Sequence, residues 1–320
     1  MKSIVTITSD HDAHIPFVQS HLEQEMIVIT GESILARHEL SYYVGENGTE
    51  VVFKGDPLHD VSAVWYRKPN SFSRVDVPVH KTFEKYARTS LDGHLNQLRV
   101  QFHEATWVSD YYALARAENK TLQLRLASKL GFKIPETLFT SDVKAARDFL
   151  NEHQTAVVKT MARAFPSDDT QSYYFFARKI TKHDAPIIRN LHLAPAIIQR
   201  AVEPAADLRV TVVGNQAFAA QVIVNEEDKD APVRDWRRDY HYDKVKFSKY
   251  VLPSGIKTAC IELVKDLGLR FGAIDLVIDK ENQIWFLEIN PNGQWAFVEV
   301  DTGLPIGRAI ELQCLNPPTR

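Results

Sequence analysis

Residues 286–295 read FLEINPNGQW, and thirteen positions before Glu288 lies Asp275, inside the strand-like run GAIDLVID at 272–279. A two-residue hairpin loop at Glu281-Asn282 pairs Lys280 with Gln283, and counting back along both strands sets Asp275 directly opposite Glu288, with Asn290 on the same face. Directly opposed residues hold their Cβ atoms roughly 4.5–5.5 Å apart, so two acids there repel unless a cation separates them. Oxygen ligands suit a hard ion. Two carboxylates and an amide that leave positions open match Mg²⁺ when nucleotide phosphates supply the remaining oxygens. The competing reading is an exposed hairpin with a polar face. Against it stand Ile274, Leu276 and Ile278 on one strand and Leu287 and Ile289 on the other, which give a half-buried alternation.

Other residues suit a nucleotide. Lys159 ends the apolar strand AVVK at 156–159, where a long cation is costly unless an anion meets it. Lys120 opens a helical stretch beside Arg116, and a solvated face competes with a phosphate role there. The run IIQRAVE at 197–203 is a strand that passes into an open linker, leaving backbone amide and carbonyl groups for a planar base. Asp207 suits ribose hydroxyls, and Arg209, Arg234, Arg237 and Arg238 supply forked cations for phosphate or carboxylate. Residues 233–240 read either as a charged solvated loop or as a lid folded around Trp236. No convincing Ser-His-Asp or Cys-His set is evident, which fits a route needing no enzyme nucleophile. His11, Asp12 and His14 lack a ligand array and read as a loop.

Three α/β units must position these groups, divided at 1–106, 107–203 and 204–320. The first holds strands at 4–8 and 61–66, a helix from Pro16 to Glu25, a hairpin at 40–53 and a helix over 79–102. The second holds a helix over 115–130 that Gly131 ends, a Ser141-led helix, and strands at 156–159, 173–177 and 196–199. The third opens with a hairpin around Gly214-Asn215 and continues through a helix at 254–267 into the acidic hairpin. Trp65, Trp107 and Trp285 read as core anchors.

At 320 residues, 44% hydrophobic and 25% charged, the composition is that of a globular protein with an extensive core. A net charge of −3 gives no global case for nucleic acid, and no apolar run approaches the length of a membrane span. The start of the chain leads into a strand rather than a signal sequence, so a cytoplasmic location is expected. Cys260 and Cys314 have no metal or disulfide spacing and read as packing residues.

Two lysines, a base-binding strand end, arginines and an Asp…Glu-x-Asn hairpin occur in the order found in ATP-grasp ligases, and residues 107–315 resemble that superfamily. Within it the chain is most similar to the microviridin-type, or graspetide, maturases that macrocyclise ribosomal peptides. The residues that carry this likeness are VWYRKP at 64–69, VVKTM at 157–161, DLRVTVVG at 207–214, DWR at 235–237, and EINPNGQW with VEVDTGLPIGRAI within 288–310. The resemblance implies an α/β (α+β) ATP-grasp fold: an N-terminal pre-grasp domain, then central and C-terminal subdomains that sandwich ATP. It implies that Lys120 and Lys159 contact ATP phosphates, Gln199 and Val202 hold adenine, and Asp207 holds the ribose. Asp275, Glu288 and Asn290 would carry two Mg²⁺ ions, with Arg209 and Arg237 steadying the transferred phosphoryl and the tetrahedral intermediate. The glycine-rich flap of the wider superfamily is missing after Lys159, where MARAFPSDD stands at 161–169, a feature these peptide ligases share.

The implied activity is an ADP-forming ligase that activates a carboxylate as an acyl phosphate, which a hydroxyl or amine then attacks. The implied partner is a precursor peptide with a leader segment, with Arg67, Tyr174, Phe176 and Arg178 as substrate contacts; a plain central strand competes with leader docking at 172–180. A homodimer is a further expectation. Two alternatives stay open: a ligase for a free amino acid or small carboxylic acid, and an ATP-binding regulator without chemistry.

Overall fold

The computed structural model describes residues 3–37, 39–46, 48–68, 77–161, 175–224 and 245–315. The β-branched run at Ser3–Thr8 is almost wholly buried and lies between Ile27–Thr30 and Val61–Tyr66 in a parallel sheet that Thr106–Val108 extends. Covered on both faces, it buries the β-branched Thr6 and Thr8 together with Ile4, Val5 and Ile7. The expected hairpin is present as Leu40–Gly45 and Gly48–Phe53, with Asp56–Pro57 added at its edge. The expected 79–102 helix is Lys81–Asn96, continued by a 3₁₀ turn at Gln97–Val100.

Two helices differ from expectation for local reasons. The segment after Pro16 is helical only at Ile15–Gln19, because the Gln19 amide folds forward: its Nε2 donates to Gln24 O and its Oε1 accepts from Met26 N. The stretch expected as one helix over 115–130 is two, Tyr111–Ala117 and Lys120–Lys129. Asn119 starts the second by accepting from Leu122 N at 3.0 Å, the side-chain cap that helix starts favour. It turns Gln123, Leu124 and Ala127 into the core, with Leu122, Leu126 and Leu130 only partly buried.

The central sheet is antiparallel, ordered Arg178–Thr181, Thr155–Thr160, Ala196–Arg200, Thr137–Thr140, and is backed by helix Val143–His153 through Ala146 and Leu150. Arg178 opens its edge strand, so the strand expected at 173–177 is corrected: Phe175–Ala177 lie before the strand, and 173–174 lie outside the described residues. The third sheet is antiparallel and has five strands: Val245–Lys249, Gln216–Val224, Pro204–Val213, Phe271–Asp279, Ile284–Asn290. Leu208, Val210, Ile274, Leu276 and Ile289 face a core shared with helix Ser254–Asp266, which leaves Arg209, Asp275 and Glu288 on the other side.

The expected unit boundaries are crossed by packing. Thr106–Val108 spans the 106/107 division within the first sheet, helix Lys120–Lys129 packs on strand Ile284–Asn290, and the late helix Ile306–Leu315 packs on the first sheet.

At that last junction Asp12, His14 and Arg67 form a buried network, so the segment 11–14, a loop as expected, also acts as a structural lock. Arg67 Nε donates to Asp12 Oδ2 at 3.1 Å, and His14 Nδ1 lies 2.6 Å from Asp12 Oδ1. His14 Nε2 accepts from Trp295 N at 3.1 Å, which fixes the neutral Nδ1–H tautomer. Burial works to raise the Asp12 carboxyl, but the hydrogen bond from His14 and the charge of Arg67 outweigh it and hold the group well below the usual range. Burial lowers His14, and the Asp12 hydrogen bond only partly opposes this.

Both shifts are downward, so the unfolded chain takes up these protons first as pH falls and stability is lost in that direction. His14 contributes the loss that begins below about 6.5, whereas Asp12 contributes only below about 3.9. Melting temperature should therefore fall between about pH 7.5 and about pH 5, and His14→Gln should flatten that fall. Thermal melts across the window test this; equal slopes for the two proteins would contradict it.

Candidate active site

Three neighbouring strands set a row of charges side by side. Arg209 is the cross-strand partner of Asp275, and Asp275 that of Glu288. The opposition expected between the two acids is present, although two local features differ from the expected hairpin. The loop holds three residues, Lys280 to Asn282, because Asp279 N donates to Gln283 O and Asn282 takes φ 58°. The Asp279 carboxylate fastens that loop by accepting from Glu281 N and Gln283 N. This shifts the pairing by one, so Leu276 meets Phe286, and Leu287 then bulges so that Asp275 meets Glu288. Phe286 consequently takes the core position expected for Leu287.

Each acid carries a protein cation. Arg209 Nη1 lies 2.8 Å from Asp275 Oδ1, and Lys120 Nζ lies 3.0 Å from Glu288 Oε2. Arg209 is 4% exposed and also donates through Nη2 to Gln294 O at 3.1 Å. Asn290 Oδ1 accepts from Asn292 N at 3.2 Å and retains a second lone pair. Asp207 pairs with Val277 on the same face. Among the described residues no group of three or more His, Cys, Asp or Glu converges. The donor set here is two carboxylates and an amide, which suits an octahedral Mg²⁺ that takes its other oxygens from phosphates and water.

The loop after Asn290 joins this row to the first unit. Gly293 O accepts from Arg67 Nη1 at 3.4 Å, the next carbonyl holds Arg209, and Asn292 Nδ2 donates to Arg67 O at 2.8 Å. Arg67 is 2% exposed, so its guanidinium is spent on Asp12 and this loop.

A second group lies on the central sheet. Lys159 Nζ donates to Gln199 Oε1 at 2.7 Å, and Gln199 Nε2 donates to Thr137 Oγ1 at 2.9 Å. The buried Gln199 amide therefore orients the lysine. The strand Ala196–Arg200 ends with Ala201 N donating to Thr155 O; Val202 and Glu203 then bridge to Pro204–Val213. Trp285, half-buried rather than a full core anchor, sits under Arg200 at 4.9 Å and ties the two sheets together. On the outer strand of the central sheet, Arg178 is exposed with Asp184 3.6 Å away, and Phe175 and Phe176 are exposed beside it. Arg237 and Tyr174, like Arg234, Trp236 and Arg238, lie outside the described residues.

Three contributors escape the sequence reading: the Asp12–His14 pair, Gly293 and Gln123. Gln123 is wholly buried, and its amide holds the backbone of Ile289, between Glu288 and Asn290. In the sequence it is one of three polar residues in TLQLRLA, beside Thr121 and Arg125, and nothing there sets it apart from them.

The RimK-like ATP-grasp domain model matches residues 117–312. Among curated protein sequences none matches. The macrocyclase MdnC of Microcystis aeruginosa MRC, solved with its precursor peptide MdnA, superposes with a TM-score of 0.84 at 26% identity, over 98% of this chain and 99% of that one. A Chryseobacterium gregarium RiPP-associated ATP-grasp ligase, in complex with ADP and a leader and core peptide, gives 0.83 at 24% identity over 100% and 98%. The ATP-grasp ligase PsnB, complexed with a minimal precursor, Mg and ADP, gives 0.76 at 20% identity over 97% of each chain.

A Cβ on Gly293 would overlap Ala273 Cβ and come within 2.6 Å of Arg209 Nη2. Gly293→Ala should therefore displace the loop and the Arg209–Asp275 pair together, costing about 1–3 kcal/mol as overpacking does. Urea unfolding checks the stability and ATP turnover checks the site; an unchanged midpoint with unchanged turnover would show that the loop gives way freely.

Proposed function

This chain belongs to the RimK-like ATP-grasp family, and from that premise we propose that it closes side-chain ester or amide bonds within a ribosomally made precursor peptide. It is an ATP-dependent, ADP-forming ligase. The observation that carries the reading is the Arg209–Asp275–Glu288 row with Lys120 beside it, set in a chain that aligns with the macrocyclase MdnC over almost its full length. That relative was solved with its precursor peptide, and two others with leader or precursor peptides and ADP.

A carboxylate is a poor acyl electrophile, so its oxygen attacks the γ-phosphate of ATP and ADP leaves. A hydroxyl or amine of the same peptide then attacks the acyl phosphate, and phosphate departs. Asp275, Glu288 and Asn290 would hold Mg²⁺, as two ions in this proposal. When bound, the metal offsets the negative charge of the transferring phosphoryl group. Lys120 and Lys159 bind phosphate oxygens, Lys159 aimed by Gln199. Val202 offers backbone groups to adenine, and Asp207 receives the ribose. Arg209, fixed by Asp275 and Gln294 O, meets charge that grows during transfer, with Arg237 assigned the same task. Arg67 serves by holding the loop at 292–293. Phe176 and Arg178, exposed at the edge of the central unit, contact the peptide, and Tyr174 is assigned the same task. Among the described residues no helix is long and apolar enough to cross a membrane. Action in the cytoplasm, where ATP is made, and as a homodimer completes the proposal.

Glu288→Gln should lower turnover at least about 100-fold while the protein still melts cooperatively, since loss of a direct ligand costs no less than loss of a group behind one. ADP release at the wild-type rate with unchanged Mg²⁺ dependence would remove the metal assignment. Lys159→Ala should weaken ATP binding about 10–100-fold, the worth of a charge-assisted hydrogen bond. Calorimetry reads this directly, and an unchanged affinity makes Lys159 a strand-end cation only. With a candidate precursor and ATP, mass spectrometry should record the loss of one water per bond formed. Bond formation at the same rate on a leaderless peptide would instead favour a ligase for small acids.

A further inference from the structure

Among the described residues the strand Ile284–Asn290 is the outermost of its sheet, so backbone groups on its outer side need partners from elsewhere. Phe286 N finds Lys133 O at 2.8 Å. Ile289 finds a side chain: its N donates to Gln123 Oε1 at 3.1 Å and its O accepts from Gln123 Nε2 at 2.9 Å. The same Nε2 donates to Ala117 O at 2.7 Å, the end of the preceding helix, and Lys120 Nζ lies 3.5 Å from Oε1. One buried amide thus acts as the peptide of a missing strand. It ties together two helices and the residue whose chain neighbours are Glu288 and Asn290.

We infer that Gln123 is a positioning residue that sets the spacing between phosphate-directed Lys120 and the oxygen donors Glu288 and Asn290. The inference rests on the nucleotide and metal roles proposed above for those three. Helix and strand come from distant parts of the sequence, and the Lys120–Glu288 ion pair alone cannot fix their separation, because the lysine stem is flexible. Gln123 approaches the backbone of Ile289 from both its N–H and its C=O, which fixes distance and direction together.

The test compares Gln123→Met, which is unbranched and of similar size but leaves Ile289 and Ala117 without their partner, with Gln123→Glu, which keeps an acceptor and sets a carboxyl oxygen against two carbonyls. Hydrogen–deuterium exchange on the ligand-free protein should show faster exchange across 287–291 in both variants. The Mg²⁺ concentration for half-maximal ATP turnover should rise about 10–100-fold, as it does when groups that orient metal ligands are lost. Affinity for metal-free ATP should fall as well, through Lys120. Faster exchange with wild-type Mg²⁺ dependence and ATP affinity would reduce Gln123 to a structural residue and overturn the inference, and so would unchanged exchange. Failure of both variants to fold would also assign Gln123 to the fold alone. A parallel Glu288→Gln arm separates the two readings: if that protein keeps wild-type Mg²⁺ dependence, the metal assignment fails, and exchange with metal-free ATP affinity still decides the role of Gln123.

Discussion

Two carboxylates face each other across one strand pair, and their mutual repulsion is the constraint around which the rest of this molecule is arranged. Opposed like charges destabilise a sheet. Here each acid is matched by a cation brought from another element, Arg209 from the adjoining strand and Lys120 from a helix start. The strand register that opposes the acids and the helix break that presents Lys120 are therefore parts of one electrostatic solution. The Asn119 cap belongs to it, since a helix continuous over 115–130 would not begin at Lys120.

The loop at 290–295 extends that solution into the first unit. Successive carbonyls of Gly293 and Gln294 take the guanidinium groups of Arg67 and Arg209, and the following N–H of Trp295 donates to His14. A charge as deeply buried as Arg67 is tolerated only when paired and hydrogen-bonded, and Asp12 with this loop supplies both. The site is thus braced from the first sheet as well as from its own.

Alternation and turn chemistry made most strands, the acid pair and its face legible in the sequence, because each is encoded within a few residues. The opposition of Asp275 and Glu288 nonetheless follows in the sequence from a loop one residue shorter than the one present, and the Leu287 bulge offsets the difference. The cause is physical: an acid pair on one face tolerates only registers that restore the face, and a bulge restores it where the turn does not. What stayed hidden depends on partners distant in the chain. Gln123 binds a backbone 166 positions away and His14 one 281 positions away, and neither residue type announces a partner of that kind. The early end of the Ile15–Gln19 helix and the late start of the strand at Arg178 are likewise set by contacts that local periodicity does not contain.

The two cations on the acidic row differ in what they can do. Arg209 is nearly sealed and is held by Asp275 and by the Gln294 carbonyl, so moving it would take this partner from a half-buried carboxylate and from a backbone carbonyl. Lys120 is more exposed, with a side chain 24% accessible, and its compact ammonium rides on a four-carbon stem. In the roles proposed for them, an incoming triphosphate would compete with Glu288 for Lys120 at little structural cost, whereas it would have to come to Arg209 as that residue stands. Glu288, in its proposed role as a metal ligand, would then meet the charge of a divalent cation in place of Lys120. The row is balanced here by Arg209 and Lys120, and under the proposed roles it would stay balanced with nucleotide bound, so that a pair of opposed acids can persist in a folded sheet.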